Sequence, residues 1–175
     1  IMSMPNPKKT AVRVQKVRLY PDAEMNQVLD ELCDYRRYCW NEALALWNDM
    51  YEQSLILDDR KSRPSEYKVR NELVAEKQDW QYALSARVLQ LSVSDLNKAF
   101  RNFFDKAQTD WGKPKFKSKK APRQGFKTDR ARIVNGKLLL DRPHESRHKE
   151  WNAISFKGAK SLEGDLKVVW VYREN

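Results

Sequence analysis

The chain has 175 residues, with 34 Lys or Arg against 24 Asp or Glu, a net charge of +10 and an isoelectric point near 9.6. An apolar fraction of 41% with six Trp, seven Tyr and six Phe is enough to bury a core, which excludes a disordered basic tail. No apolar run approaches the roughly 18 residues that cross a bilayer, and no signal-type stretch opens the chain, so the sequence predicts a cytoplasmic protein without a membrane partner, of one domain or two small ones.

Ile1 ahead of Met2 predicts that residue 1 is not a natural translation start. After a polar tail, AVRVQKVRLYP alternates Val12 and Val14, then Val17 and Leu19, with Arg13, Lys16 and Arg18, and reads as a strand ended by Pro21. From Asp22 to about Gln53, apolar residues recur at three- and four-residue spacing through Met25, Leu29, Leu32, Cys39, Ala43 and Trp47, which predicts a long amphipathic helix. Arg36 and Arg37 interrupt that stripe beside Tyr35 and Tyr38, marking a ligand-facing patch or the solvent side. SRPSEY then starts a shorter helix to about Lys77, with Pro64 in its first turn. A third helix is predicted from Ala83 to about Ala107, with Leu84, Val88, Leu91, Leu96, Ala99, Phe100, Phe103 and Phe104 as its apolar set.

Between Gly112 and Arg132 the charge is concentrated. Lys113, Lys115, Lys117, Lys119, Lys120, Arg123, Lys127, Arg130 and Arg132 stand against Asp129 alone, so this segment carries a net +8 of the chain's +10. Phe116 and Phe126 are interleaved, and patterned sequence resumes afterwards, so the segment reads as an internal loop tied down at both ends. Cations that neutralise phosphates, with rings that stack on bases or anchor the loop, suit nucleic acid better than an acidic protein or an anionic lipid. Beyond it the period falls to two. IVNGKLLL predicts a hairpin on the Asn135-Gly136 turn, and AISFK and LKVVWVYR supply further strands. A lone N-terminal strand with the others at the far end predicts an α+β fold, a small β-barrel interrupted by a three-helix bundle.

Catalytic signatures are missing from this sequence. It holds no phosphate-binding glycine loop, no dinucleotide fingerprint, no nucleophile elbow and no HExxH. Asp141 and Asp165 stand only at strand edges, so no carboxylate set for two-metal chemistry is predicted. Cys33 and Cys39 lie six apart on one helix and face different ways, which argues against a disulfide. His144 and His148 read as solvated loop residues rather than a zinc site.

Several motifs in series resemble TnpB, also called OrfB, the RNA-guided nuclease of insertion sequences and a relative of miniature type V CRISPR effectors. They are the strand ending in Arg18, Leu19, Tyr20 and Pro21, an R-x-x-x-N element at Arg37 and Asn41, an A-x-x-x-FF element at Ala99, Phe103 and Phe104, a basic stretch at Gly112, Pro114, Phe116 and Lys117, and an F-x-T signature at Phe126, Lys127 and Thr128. The resemblance implies an oligonucleotide-binding-like wedge domain over 1–21 and 109–175, interrupted by a helical recognition domain over 22–108. It implies guide RNA and target double-stranded DNA as partners, with Arg87 and Gln90, and also Tyr67 and Arg70, near a target-adjacent motif, where Gln suits adenine and Arg guanine. Relatives continue into a RuvC-like nuclease, the one part for which Mg2+ is expected; this sequence stops at VVWVYREN, so no catalytic or metal residue is carried over, and a separately supplied nuclease domain becomes a further expected partner. The rival expectations are a stand-alone duplex-binding repressor without RNA and a subunit whose aromatic helix faces dock another protein.

Overall fold

The computed structural model describes residues 12–158 and 165–174. Its order is β1 (Arg18–Tyr20), α1 (Ala23–Ile56), α2 (Glu66–Ala75), α3 (Ala86–Phe104), β2 (Arg123–Thr128), β3 (Arg132–Val134), β4 (Lys137–Leu139), β5 (Ile154–Lys157) and β6 (Val169–Glu174).

Each helix begins at a polar cap. The Asp22 carboxylate accepts from the Met25 amide at 2.8 Å, the Ser65 hydroxyl from Lys68 at 3.2 Å and the Ser85 hydroxyl from Arg87 at 3.2 Å. Pro64 therefore precedes the cap of α2 rather than occupying its first turn. The third helix starts at Ala86, behind the Ser85 cap, instead of Ala83, because Asp79–Ala83 form a 3-10 turn that Leu84 leaves in an extended conformation. With 34 residues, α1 is about 51 Å long.

Among the described residues the strands form two antiparallel sheets. One has the order β1-β5-β4-β3 and the other is the ribbon β2-β6. The N-terminal strand does join the C-terminal strands, with Leu19 opposite Phe156, as a chain interrupted by helices requires. The two sheets do not close on each other, so the fold is α+β without the closed barrel expected from the sequence. The expected first strand is also shorter. Only Arg18–Tyr20 enter a ladder, while Val12 and Val14 are exposed. In the hairpin β3–β4, Asn135 and Gly136 both have positive φ, 51° and 71°, as a two-residue type I′ turn demands.

One core joins helices and strands. Met25, Leu32, Tyr35, Ala43 and Leu44 of α1 and Val88, Val93 and Leu96 of α3 are buried together with Phe126, Leu138, Ile154 and Val171. Leu89 and Val93, outside the expected apolar set of α3, are buried, whereas Phe103 and Phe104 of that set are exposed. The ribbon thus lies against α1 and α3 through its inner row, and its position fixes the segment that leads into it.

Candidate nucleic-acid interface

The basic segment is held down by one face of α1. Arg37 and Asn41, one helical turn apart, project to the same side. The Asn41 side chain pairs with the backbone of Lys117 as a strand would, donating to its carbonyl at 3.0 Å and accepting from its amide at 2.8 Å. Between them, the Trp40 indole donates to the Lys115 carbonyl at 2.8 Å, and the Lys117 ammonium lies 4.3 Å from the centre of the Trp40 ring. Arg37 donates to the buried Gln124 side chain at 3.1 Å and to Asp34 at 2.9 Å. The amide of Gln124 in turn donates to the carbonyls of Ser118, Lys119 and Ala121 at 3.1, 3.3 and 3.0 Å. Residues 115–121, without regular secondary structure, therefore have a fixed path, because five of their carbonyls accept from two side chains of α1, Trp40 and Asn41, and one of β2, Gln124, which Arg37 holds in turn.

Fixing the backbone leaves the cations outside. Lys113, Lys115, Lys119, Lys120, Arg130 and Arg132 are exposed, and none is in an ion pair among the described residues. Phe116, 60% exposed, stands among them. The other three cations are engaged. Lys127 and Arg36 meet Asp95 of α3 at 3.0 and 3.5 Å, and Arg123 pairs with Glu174. Lys117 sits beneath, its pKa held below the ordinary lysine value first by burial and then by the neighbouring Arg36 and Lys127 charges.

Residues 12–55 match the family model of the helix-turn-helix domain of OrfB from IS605. This segment is an OrfB/TnpB-family N-terminal region. The description points to DNA binding as the class of activity. Comparison with curated proteins finds no match. In this molecule the OrfB segment is β1 followed by one continuous helix, with no turn between two helices inside the matched residues. Its R-x-x-x-N element is part of the clamp on the basic segment, Asn41 bonding the backbone of Lys117 and Arg37 the Gln124 side chain, so the hydrogen-bonding groups of both are engaged inside the molecule.

Other residues expected at the interface are also engaged internally. Phe126 and Thr128 are each 1% exposed; the ring fills the core, and the Thr128 hydroxyl donates to Asp141 at 2.7 Å. They belong to β2, a strand where the sequence predicts a loop, and burial removes both from contact with any ligand. Asp141 also accepts from the Ser85 cap, so the F-x-T signature ties the end of β2 to the start of α3. Arg87 directs its guanidinium at Asp129, with bonds of 2.7 and 2.5 Å, and also donates to Gln90. That fork is taken, and the same contact holds the Asp129 carboxyl below its ordinary pKa and raises that of Arg87. Tyr67, 66% exposed, and Arg70, 5.8 Å from its ring centre, remain accessible on α2. Arg18 lies 5.6 Å from the centre of the exposed Tyr20 ring at the sheet edge.

His148 is not solvated, contrary to expectation. Its two ring nitrogens face Glu24 at 3.2 Å and Glu31 at 3.0 Å, which pins the 141–150 loop to α1. No group of three or more His, Cys, Asp or Glu side chains among the described residues is arranged to hold a metal ion. Cys33 and Cys39 are free and buried, and burial pushes their thiols up to about 11 and about 12. Among the described residues no helix is long and apolar enough to cross a membrane.

Trp40 and Gln124 complete the clamp, and the sequence reading passes over both as site residues. The Trp40 ring lies in the apolar core, and only its indole N–H reports the contact with the basic segment.

Proposed function

We propose that this chain is the nucleic-acid-binding portion of a TnpB-like RNA-guided DNA endonuclease, holding guide RNA on the basic segment while the helices inspect target DNA. One observation carries the reading: of six exposed cations with no ion pair among the described residues, Lys115, Lys119 and Lys120 lie on the stretch whose path is fixed by the helix of the OrfB-matched segment and by Gln124. A fixed row of charges suits a folded RNA, whose phosphates have a fixed path, because little side-chain and backbone order has to be created on binding. Inspection of duplex DNA falls to α2, where Tyr67 and Arg70 are accessible. Arg87 and Gln90, at the start of α3, are held against each other and Asp129.

The test is to express the chain with its flanking genomic locus, purify it and sequence the nucleic acid that accompanies it. A discrete structured RNA from the locus is expected. Nucleic-acid-free protein that shifts one specific DNA duplex would replace this reading with a stand-alone duplex binder.

A further inference from the structure

The outer face of the β2–β6 ribbon carries a feature that the phosphate-binding role leaves unused. The register places Arg123, Gly125 and Lys127 opposite Glu174, Tyr172 and Trp170, and this row points away from the core, while Gln124, Phe126 and Thr128 point into it. Trp170 is 48% exposed, although a large apolar ring is ordinarily buried. Its surroundings are cationic: Lys127 and Arg123 lie 5.7 and 5.9 Å from the indole centre. Beside it the Tyr172 ring, at a centroid distance of 5.2 Å, is covered by Arg123 at 4.6 Å and Lys16 at 5.5 Å, so Tyr172 is a support and Trp170 the open ring.

Gly125 makes room for this arrangement. A Cβ there would stand 2.7 Å from the Val171 carbonyl oxygen, 2.8 Å from the Tyr172 Cβ and 3.0 Å from the Trp170 indole nitrogen. The indole therefore lies across a backbone that a side chain would obstruct. The strand that carries Arg123 and Lys127 is entered directly from the clamped basic segment, so the two cations beside the exposed ring are continuous in chain with that segment.

We propose that Trp170 is a stacking platform for an unpaired base of the nucleic acid that the basic segment holds, with Arg123 and Lys127 contacting its flanking phosphates. The occupant follows from charge and shape. Three cations, Lys16, Arg123 and Lys127, outnumber the two carboxylates they meet, Glu174 and Asp95, which favours an anion, and an exposed indole between them selects a flat ring, which a nucleic acid presents only where its bases are unpaired. This proposal rests on the nucleic-acid reading of the basic segment.

The experiment measures binding of the full chain to a fluorescein-labelled single-stranded oligonucleotide and to a duplex of the same sequence, at about 0.1 M salt. The proteins are wild type, Trp170→Ala, Trp170→Phe and a Lys113→Ala/Lys119→Ala/Lys120→Ala triple variant. Trp170→Ala is expected to weaken single-strand binding about 5- to 150-fold, the range of one lost base–aromatic stack, and to leave duplex binding within about twofold. Trp170→Phe, which keeps a stacking face, is expected to retain most of the affinity. If Trp170→Ala binds single strands like wild type while the triple variant is impaired, the platform is overturned and the basic segment stands. An equal loss on duplex and single strand, or a change of oligomeric state with single-strand binding intact, also overturns it. A wild type that binds neither oligonucleotide overturns both readings.

Discussion

Asn41 and Arg37 show how much a motif residue can do without touching a ligand. Each side chain spends its hydrogen-bonding groups inside the molecule, and what they fix is the path of residues 115–121. Asn41→Ala leaves the Lys117 amide and carbonyl without their partner, at a cost of about 1–3 kcal/mol. Its expected signature is twofold: a lower unfolding midpoint, and faster tryptic cleavage at Lys115, Lys117 and Lys119, with every cation still present. Nucleic-acid affinity should fall with it, since the charges lose their arrangement. The Arg87–Asp129 contact makes a different prediction. The folded-state pKa of Asp129 lies below 3.8, so the contact stabilises fully above the unfolded value and its contribution is lost as pH falls through the depressed folded value. Urea unfolding of wild type and Asp129→Asn should differ by on the order of 1 kcal/mol at neutral pH, because both side chains are partly exposed, with the difference shrinking below about pH 4.

At the scale of elements, the ribbon β2–β6 depends on close approach at Gly125. Gly125→Ala sets a methyl group against a backbone oxygen and a Cβ that cannot move independently of the strand. Thermal unfolding is expected to report a loss of about 1–3 kcal/mol. This strand is also where sequence and structure part most clearly. Helices were legible because a period of 3.6 runs through their apolar residues, and the hairpin because Asn135-Gly136 meets a backbone demand that few pairs satisfy. In RQGFKT the inward row is Gln124, Phe126 and Thr128, so two of three buried positions are polar and the outward row is dominated by charge. Alternation is present but invisible to a hydrophobicity pattern, since Gln124 and Thr128 are buried for their hydrogen bonds to Arg37, the basic segment and Asp141. The opposite error befell Val12 and Val14, which alternate as a strand should and enter no ladder among the described residues. Pattern fixes which face could be buried, and partners decide whether it is.

For the whole molecule, the helices and the strands share one core, and the basic segment runs from one to the other across the face of α1. The position of the charge cluster was legible in composition alone; its rigidity was not, because the clamp joins Arg37 to Gln124 across 87 residues and Asn41 to Lys117 across 76. Such contacts leave no local signal. The same distance explains why Arg87 read as a base-reading residue: its partner Asp129 lies 42 positions away, inside the run of positive charge.

The measurement that bears most directly on the account is the salt dependence of RNA binding. Six exposed cations of the basic segment, with no ion pair among the described residues, predict that log K falls with log salt at a slope of about −4 for single strands, each phosphate contact contributing about −0.7. Lys119→Ala/Lys120→Ala should bring the slope toward zero by about 1.4 while leaving the unfolding midpoint unchanged, since both side chains are exposed. A slope near zero in the wild type, or a slope unaffected by removing those two lysines, would contradict the claim that this segment grips nucleic acid.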